Sequence, residues 1–265
     1  MEPSQKEKKA LEILRDLNSV AVAFSGGVDS TLVCSLAKQA LGSKAIAVIG
    51  KSLVDPREDL VQARRTAKNI GIRLYEIDVP IMEDERFVKN APDRCYHCKN
   101  ALFSEISDIA RSKGLRAIVD GSTKDDLADI RPGFKAKREF GVVSPLIEAG
   151  INKSEVRAIS KRRKLPTWNK PQTACLASRI PYGTEIDRHL VDRIAKAERA
   201  LKRMGLSQVR VRAHGPVARI EVEPKEMARA LRSRARITKE LKSLGFIYIT
   251  LDIEGFRSGS MNEVL

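Results

Sequence analysis

The chain has no long hydrophobic run. Its longest unbroken apolar stretches, such as residues 20–24 and 45–49, are five residues long. About 20 are needed to cross a bilayer. The opening stretch, MEPSQKEKKALEIL, is charged, with no apolar core and no small-residue cleavage site. No signal peptide is expected, and the expected location is the cytoplasm, away from membranes. Aromatic residues are scarce at 5%, too sparse for a platform that stacks nucleic-acid bases. Cysteine is scarce too, at four: Cys34, Cys95, Cys98 and Cys175. In 265 residues that is no disulfide framework, and such thiols are expected to bind metal or do chemistry.

Positive charge is in excess. Lys and Arg number 49 against 34 Asp and Glu, a net +15. The excess favours anionic partners: nucleotides, phosphorylated small molecules, RNA or an acidic protein. With 42% apolar and 31% charged residues the chain reads as globular.

Strands and helices alternate through the first half. Residues 7–18 are apolar at helical spacing, and 19–24 form a short buried strand rich in Val and Ala. Helix is expected over 30–41, 56–70, 98–113 and 153–164, and strand over 44–49, 74–79 and 117–120. That alternation predicts an α/β fold with a doubly wound parallel sheet. Residues 125–145 read as loop. Residues 166–183, with Pro166, Pro171 and Pro181, read as a connector that carries Cys175. The predicted domains are thus 1–165 and a smaller α+β domain over 184–265. The latter has a long helix over 184–204, strands over 208–213 and 217–223, a helix over 224–244 and a strand over 246–253.

The strongest local signal is Ser25-Gly26-Gly27-Val28-Asp29-Ser30, between a buried strand and a helix. Glycines let backbone approach an anion, first-turn N–H groups point at it, and the helix dipole favours negative charge. Ser25 and Ser30 add hydroxyl donors, and Asp29 suits a magnesium ion bridging phosphate oxygens. The Gly-Lys-Ser/Thr ending of a Walker loop is absent, and so is the third glycine of the dinucleotide fingerprint. An ordinary strand-to-helix turn is the plain alternative.

Cys95 and Cys98 form Cys-Tyr-His-Cys at the start of a predicted helix, and Cys175 lies far along the chain. The pair alone suits a redox couple or half a zinc site. Three thiolates with no evident fourth ligand better suit a 4Fe–4S cluster with one open iron. Cys34 falls on the core side of its helix. Arg210 and Arg212 alternate with Val209 and Val211, so both guanidinium groups leave one strand face and suit a phosphate.

Residues 25–30 resemble the phosphate loop (PP-loop) of the N-type ATP pyrophosphatases. That resemblance implies an adenine-nucleotide α-hydrolase-like fold and cleavage of ATP between its α and β phosphates, which activates a carboxylate as an adenylate. Ligands of open parallel sheets lie at the carboxyl ends of the strands. Residues 48–51, with Lys51, and then Asp120 and Gly121, are therefore expected to face the nucleotide.

Taken whole, the chain resembles the LarE family of ATP-dependent sulfur transferases. The likeness rests on the loop and on Asp129-Ile130-Arg131-Pro132-Gly133, Thr167-Trp168-Asn169-Lys170, Ser178-Arg179-Ile180-Pro181-Tyr182-Gly183, Val209-Arg210-Val211-Arg212 and Gly255-Phe256-Arg257-Ser258-Gly259. It implies that a pyridinium dicarboxylate mononucleotide is adenylated and then thiolated, in making the nickel-pincer cofactor of lactate racemase. ATP, magnesium, a sulfide or other sulfur donor, and a homo-oligomer are implied with it.

One branch of the family is implied to give up the sulfur of a single cysteine at the position of Cys175. Cys95, Cys98 and Cys175 place this chain in the other branch, implied to use an iron–sulfur cluster. Arg210, Arg212 and Arg257 are then expected to hold the substrate phosphate. Lys99, next to Cys98, and Arg179, close to Cys175, are expected to balance adenylate or cluster charge; Ser178 is a further candidate. Asp125, Asp126 and Asp129 are further magnesium candidates. A tRNA thiolase of the same superfamily and a non-catalytic nucleotide-binding module are the rivals. A salt-dependent tRNA shift favours the first, and ATP binding without pyrophosphate release the second.

Overall fold

A computed structural model describes residues 3–128, 133–171, 173–257 and 260–263. The sequence-motif positions 129–132 and 258–259, including Asp129, lie outside the described residues. The chain divides into two compact units, Met1–Ile81 with Cys95–Thr173 and Met82–Arg94 with Ala174–Leu265.

The first unit opens with helix α1 (Pro3–Asp16), strand β1 (Val20–Ala23), helix α2 (Val28–Leu41), β2 (Ala45–Lys51), α3 (Arg57–Ile70) and β3 (Arg73–Asp78). After the short helix α4 (Glu85–Val88), which belongs to the second unit, it continues with α5 (Arg94–Ser112) and β4 (Ala117–Val119). All four strands pair in parallel, in the order β3-β2-β1-β4. The Val, Ala and Ile side chains of β1, β2 and β4 do not alternate with polar ones, as a sheet covered on both faces requires, whereas the edge strand β3 carries Arg73, Glu76 and Asp78. Val20 and Val22 join a core with Leu14, Leu32, Leu36 and Ile159. Ala21, Ile46 and Val48, on the opposite pleat, are equally buried. Each large aliphatic side chain so buried contributes about 2 kcal/mol.

Short helices α6 (Gly133–Glu139) and α7 (Pro145–Glu148) then precede α8 (Lys153–Arg162). The stretch read from sequence as loop over 125–145 thus contains α6, whose start at Gly133 hides a helix behind a turn-forming residue. The fully developed capping box of Asn152 and Glu155 starts α8.

The second unit holds α9 (Arg188–Arg203), β5 (Val209–His214), β6 (Val217–Val222), α10 (Met227–Arg232), α11 (Arg234–Ser243) and β7 (Tyr248–Leu251). β5 and β6 form an antiparallel hairpin, and β7 adds parallel to β6. The single helix expected over 224–244 is two helices, broken at Ser233 (φ −89°, ψ 7°). Residues 82–94 join this unit because Asn90 clamps the 180–184 turn. Fully buried and at φ 56°, Asn90 donates its Nδ2 to the carbonyls of Pro181 and Thr184, both at 2.8 Å. Arg94 donates to Asn90 Oδ1 at 2.5 Å and lies 4.3 Å from the Tyr182 ring centroid. No periodicity in the sequence marks that excursion.

Candidate active site

In the first unit the loop after β1 leaves α2 with an open amino terminus. Its N-cap, Gly27, provides no side-chain hydrogen bond to the first turn. The first N–H groups of a helix have no partner within it, so they stay available to an anion. The loop is laced by its own hydroxyls. Ser25 Oγ and Ser30 Oγ lie 3.0 Å apart, and Ser25 N donates to Ser30 Oγ at 3.2 Å. Gly26 sits at φ 69°, and a Cβ there would stand 2.9 Å from the Ala63 Cβ of α3. A Cβ on Gly121 would stand 2.6 Å from the Ser30 nitrogen and 2.9 Å from the Asp29 carbonyl carbon. The chain leaving β4 therefore passes against the start of α2 with room only for glycine. This cradle fits a phosphate group on chemical grounds.

Asp29 is half-buried in the first turn of α2. Burial, with the charge of Asp126 added, pushes its carboxyl up to about 6, against the pull of Lys153 and Arg157. Asp126 itself is engaged: its Oδ2 accepts from Thr123 N and Oγ1 at 2.9 Å, and its Oδ1 pairs with Lys153 Nζ at 3.0 Å. That leaves Asp29 as the carboxylate suited to a magnesium ion. Asp125 accepts from the Lys153 backbone amide at 2.7 Å.

Asp120, a nucleotide-facing candidate from sequence, has its carboxylate saturated by protein partners. Oδ1 accepts from Ser144 Oγ at 2.6 Å and Ser122 N at 3.2 Å, and Oδ2 from Ser122 Oγ at 2.7 Å and Lys137 Nζ at 2.8 Å. Burial raises its pKa, but the Lys137 ammonium and the two hydroxyls outweigh burial and hold it below the usual range. Asp120 fixes the turn that carries Gly121. Lys51, at the end of β2, pairs with Asp78 at 3.0 Å.

Helix α5 begins one turn earlier than the spacing suggests, so Cys95 and Cys98 both lie in it, three residues apart on one face. Cys95 is exposed and Cys98 half-buried. Lys99 is exposed beside them, its chain against Gly133 and its Nζ 6.0 Å from the Phe103 ring centroid. Cys34 is fully buried, and burial pushes its thiol up, as packing requires. Among the described residues no three His, Cys, Asp or Glu side chains gather as a metal site. Two thiols one turn apart do fit half of a thiolate-ligated centre.

In the second unit Cys175 is half-buried and caps a turn of 3-10 helix over Leu176–Arg179. Its carbonyl accepts from Ser178 N at 3.0 Å, Ser178 Oγ at 2.8 Å and Arg179 Nη1 at 3.2 Å. Arg179 also holds Ala174 O at 2.9 Å and Glu198 through Nε at 2.8 Å and Nη2 at 3.1 Å. Through Glu198 and this backbone, Arg179 fixes the Cys175 turn.

The arginines of β5 behave differently from one another. Arg212 is buried against Glu221 in a two-bond pair, both at 2.9 Å, and also holds Ser178 O and Ser260 Oγ. It neutralises a buried carboxylate. Arg257 likewise pairs with Glu254 at 2.6 Å and with Glu263, so its terminal nitrogens are taken. Among the described residues no carboxylate pairs with Arg210. It stacks 4.4 Å from the Phe256 ring centroid, and burial with the nearby charges of Arg179 and Arg212 pushes its pKa down to about 10. A buried, repelled guanidinium is a ready anion site. The Phe256 amide donates to Val222 O at 2.8 Å, which lays the Phe256 ring on Arg210.

No helix among the described residues is long and apolar enough to cross a membrane. Residues 10–102 match the NAD synthase family model. An uncharacterised protein of Synechocystis sp. is 40% identical, over 94% of each chain. The tRNA-specific 2-thiouridylase MnmA of Desulforamulus reducens is 26% identical, over 58% of this chain and 53% of that enzyme. The pyridinium-3,5-bisthiocarboxylic acid mononucleotide synthase of Lactiplantibacillus plantarum is 38% identical, over 98% of this chain and 95% of the synthase. A likeness of that extent, on a parallel-sheet fold with its phosphate loop in place, makes this chain a member of the LarE family.

Proposed function

We propose that the protein is an ATP-dependent sulfur transferase that converts a carboxylate of a pyridinium dicarboxylate mononucleotide into a thiocarboxylate. The observation that carries this reading is the uncapped start of α2, laced by Ser25 and Ser30, in a chain whose full-length relative is named for the bisthiocarboxylic product.

The chemistry balances in two steps. A carboxylate oxygen attacks the α-phosphorus of ATP, the bond to the β-phosphate breaks, and pyrophosphate leaves. A sulfide sulfur then attacks the acyl carbon. AMP departs with the former carboxylate oxygen, and a thiocarboxylate remains. The first step turns a poor electrophile into a good one, which is why sulfur transfer needs ATP.

Ser25, Gly26, Gly27 and Ser30 would hold the outer phosphates. Asp29 would hold magnesium, which screens charge as pyrophosphate forms. Lys51 and the backbone at Gly121 would line the nucleotide, and Lys99 would steady the adenylate. Arg210 would take the phosphate of the mononucleotide. Cys95, Cys98 and Cys175 would hold a 4Fe–4S cluster, which would supply a site for sulfide. Support for that assignment is chemical: two thiols on one helix face, and a third on a turn that Ser178 and Arg179 hold firmly. A homo-oligomer that takes its sulfur from sulfide or a donor protein belongs to the same reading.

The test measures AMP and pyrophosphate release by the anaerobically purified protein. Release should depend on the dicarboxylate and vanish in Asp29→Ala; release retained in that variant removes the metal role. Iron and sulfide should be present at about four per chain, and be lost in Cys95→Ala.

A further inference from the structure

We propose that Lys170 is a positioning residue of the phosphate loop: it orients the Gly26–Gly27 peptide so that an N–H, not a carbonyl oxygen, meets the incoming phosphate. The proposal rests on the reading of that loop as a pyrophosphate cradle and adds a residue to it from 144 positions away.

Lys170 Nζ donates to Gly26 O at 3.2 Å and to Asp59 Oδ1 at 2.9 Å, and its side chain is only 10% exposed. Asp59 and Ala63 are four residues apart on one face of α3, the face on which Gly26 lies. The ammonium is thus wedged between a carboxylate and the loop's carbonyl. In a trans peptide the C=O and the following N–H point in opposite directions. Holding the Gly26 oxygen toward Lys170 therefore turns the Gly27 N–H the other way. That N–H makes one long contact, to Ser25 Oγ at 3.4 Å, and keeps its capacity for an anion.

Without such a hold this peptide is easily reversed. It joins two glycines, which lack the Cβ that biases other residues, and Gly26 already occupies φ 69°. A reversed peptide would present oxygen to a phosphate, and repel it. Lys170 is itself held in register. Arg157 of α8 donates to Trp168 O and Lys170 O, each at 3.1 Å, and Lys170 N donates to Thr167 O at 2.9 Å. The Thr167-Trp168-Asn169-Lys170 motif, which had no function from sequence, becomes a strap that reaches the loop through one ammonium.

The experiment is calorimetric titration of the full-length protein with inorganic pyrophosphate and magnesium, and separately with AMP. Lys170→Met should weaken pyrophosphate binding roughly tenfold to a hundredfold, the range of one charge-assisted hydrogen bond. AMP affinity should not change. Lys170→Arg, which keeps a donor cation, should recover most of the loss. Asp59→Asn keeps the lysine but removes its anchor. It should show a smaller loss confined to pyrophosphate, and it serves as the test if Lys170→Met does not fold. Wild-type pyrophosphate affinity in Lys170→Met and Asp59→Asn, or AMP affinity falling in parallel, overturns the proposal. A wild-type protein that binds no pyrophosphate overturns the cradle reading itself, and the role of Lys170 with it.

Discussion

Glu221 stands directly across the β5–β6 hairpin from Arg210, yet its carboxylate is taken by Arg212, the diagonal neighbour, in two hydrogen bonds of 2.9 Å. The pairing divides two arginines that share a strand face. One compensates a carboxylate with no solvent exposure, and the other is left charged, buried and repelled.

Arg212→Met should therefore be a folding defect. It strands Glu221 with the 3.3 Å contact to Arg219 and the Ser260 hydroxyl at 3.2 Å, at a cost of about 3 kcal/mol. Arg210→Met removes a charge that burial already disfavours, so stability should hold while affinity for the mononucleotide falls. Denaturant unfolding and substrate titration on both variants separate the two effects. Equal destabilisation by both substitutions contradicts the division.

Gly121→Ala should disable the loop. The new methyl group meets backbone atoms of Ser30 and Asp29 at 2.6 and 2.9 Å, which cannot swing aside. Such overpacking costs about 1–3 kcal/mol, and pyrophosphate release should fall by roughly tenfold or more.

Lys137→Met should leave the buried Asp120 carboxylate without its cation, at a cost of about 3 kcal/mol. Asp120 has a depressed pKa in the folded protein, so its stabilising effect is present above the ordinary carboxylate range and lost as pH falls below it. In the variant the depression shrinks, so the part of the acid loss due to Asp120 becomes smaller, while the stability already lost at neutral pH brings acid unfolding on at higher pH. An acid unfolding midpoint unchanged from wild type counts against the network.

Asp29 has the opposite sign. Its folded pKa of about 6 lies above the ordinary 3.8, so between these values the native state binds the extra proton, and stability from this group falls as pH rises. In magnesium-free buffer Asp29→Asn should stabilise the protein at pH 8, on the order of 1–2 kcal/mol after solvent screening. The gain should fade toward pH 4. Thermal midpoints across that range check it, and a flat difference would refute the cause assigned to the shift.

Local pattern made much of this molecule legible. The short Val- and Ala-rich strands, each followed by a turn and an amphipathic helix, read as a parallel sheet. Six consecutive residues, Ser25 to Ser30, marked its phosphate loop. Alternation correctly put Arg210 and Arg212 on one face. It could not say which had a carboxylate, because that depends on side-chain choice across β6. Lys170 and Asp59 are 111 residues apart, and Arg179 and Glu198 belong to different elements, so no window of sequence joins either pair. The return of residues 82–94 to the second unit hangs on one asparagine, Asn90, whose partners lie about 90 residues on. Such contacts are products of folding and leave no periodic trace.

The most direct test of the account supplies the anaerobic protein with ATP, magnesium, sulfide and the pyridinium dicarboxylate mononucleotide, and follows the products by mass spectrometry. The expected result is exchange of one carboxylate oxygen for sulfur, with AMP and pyrophosphate formed in equal amounts. AMP and pyrophosphate without any sulfur-bearing product, or a sulfur-bearing product formed without ATP, would contradict it.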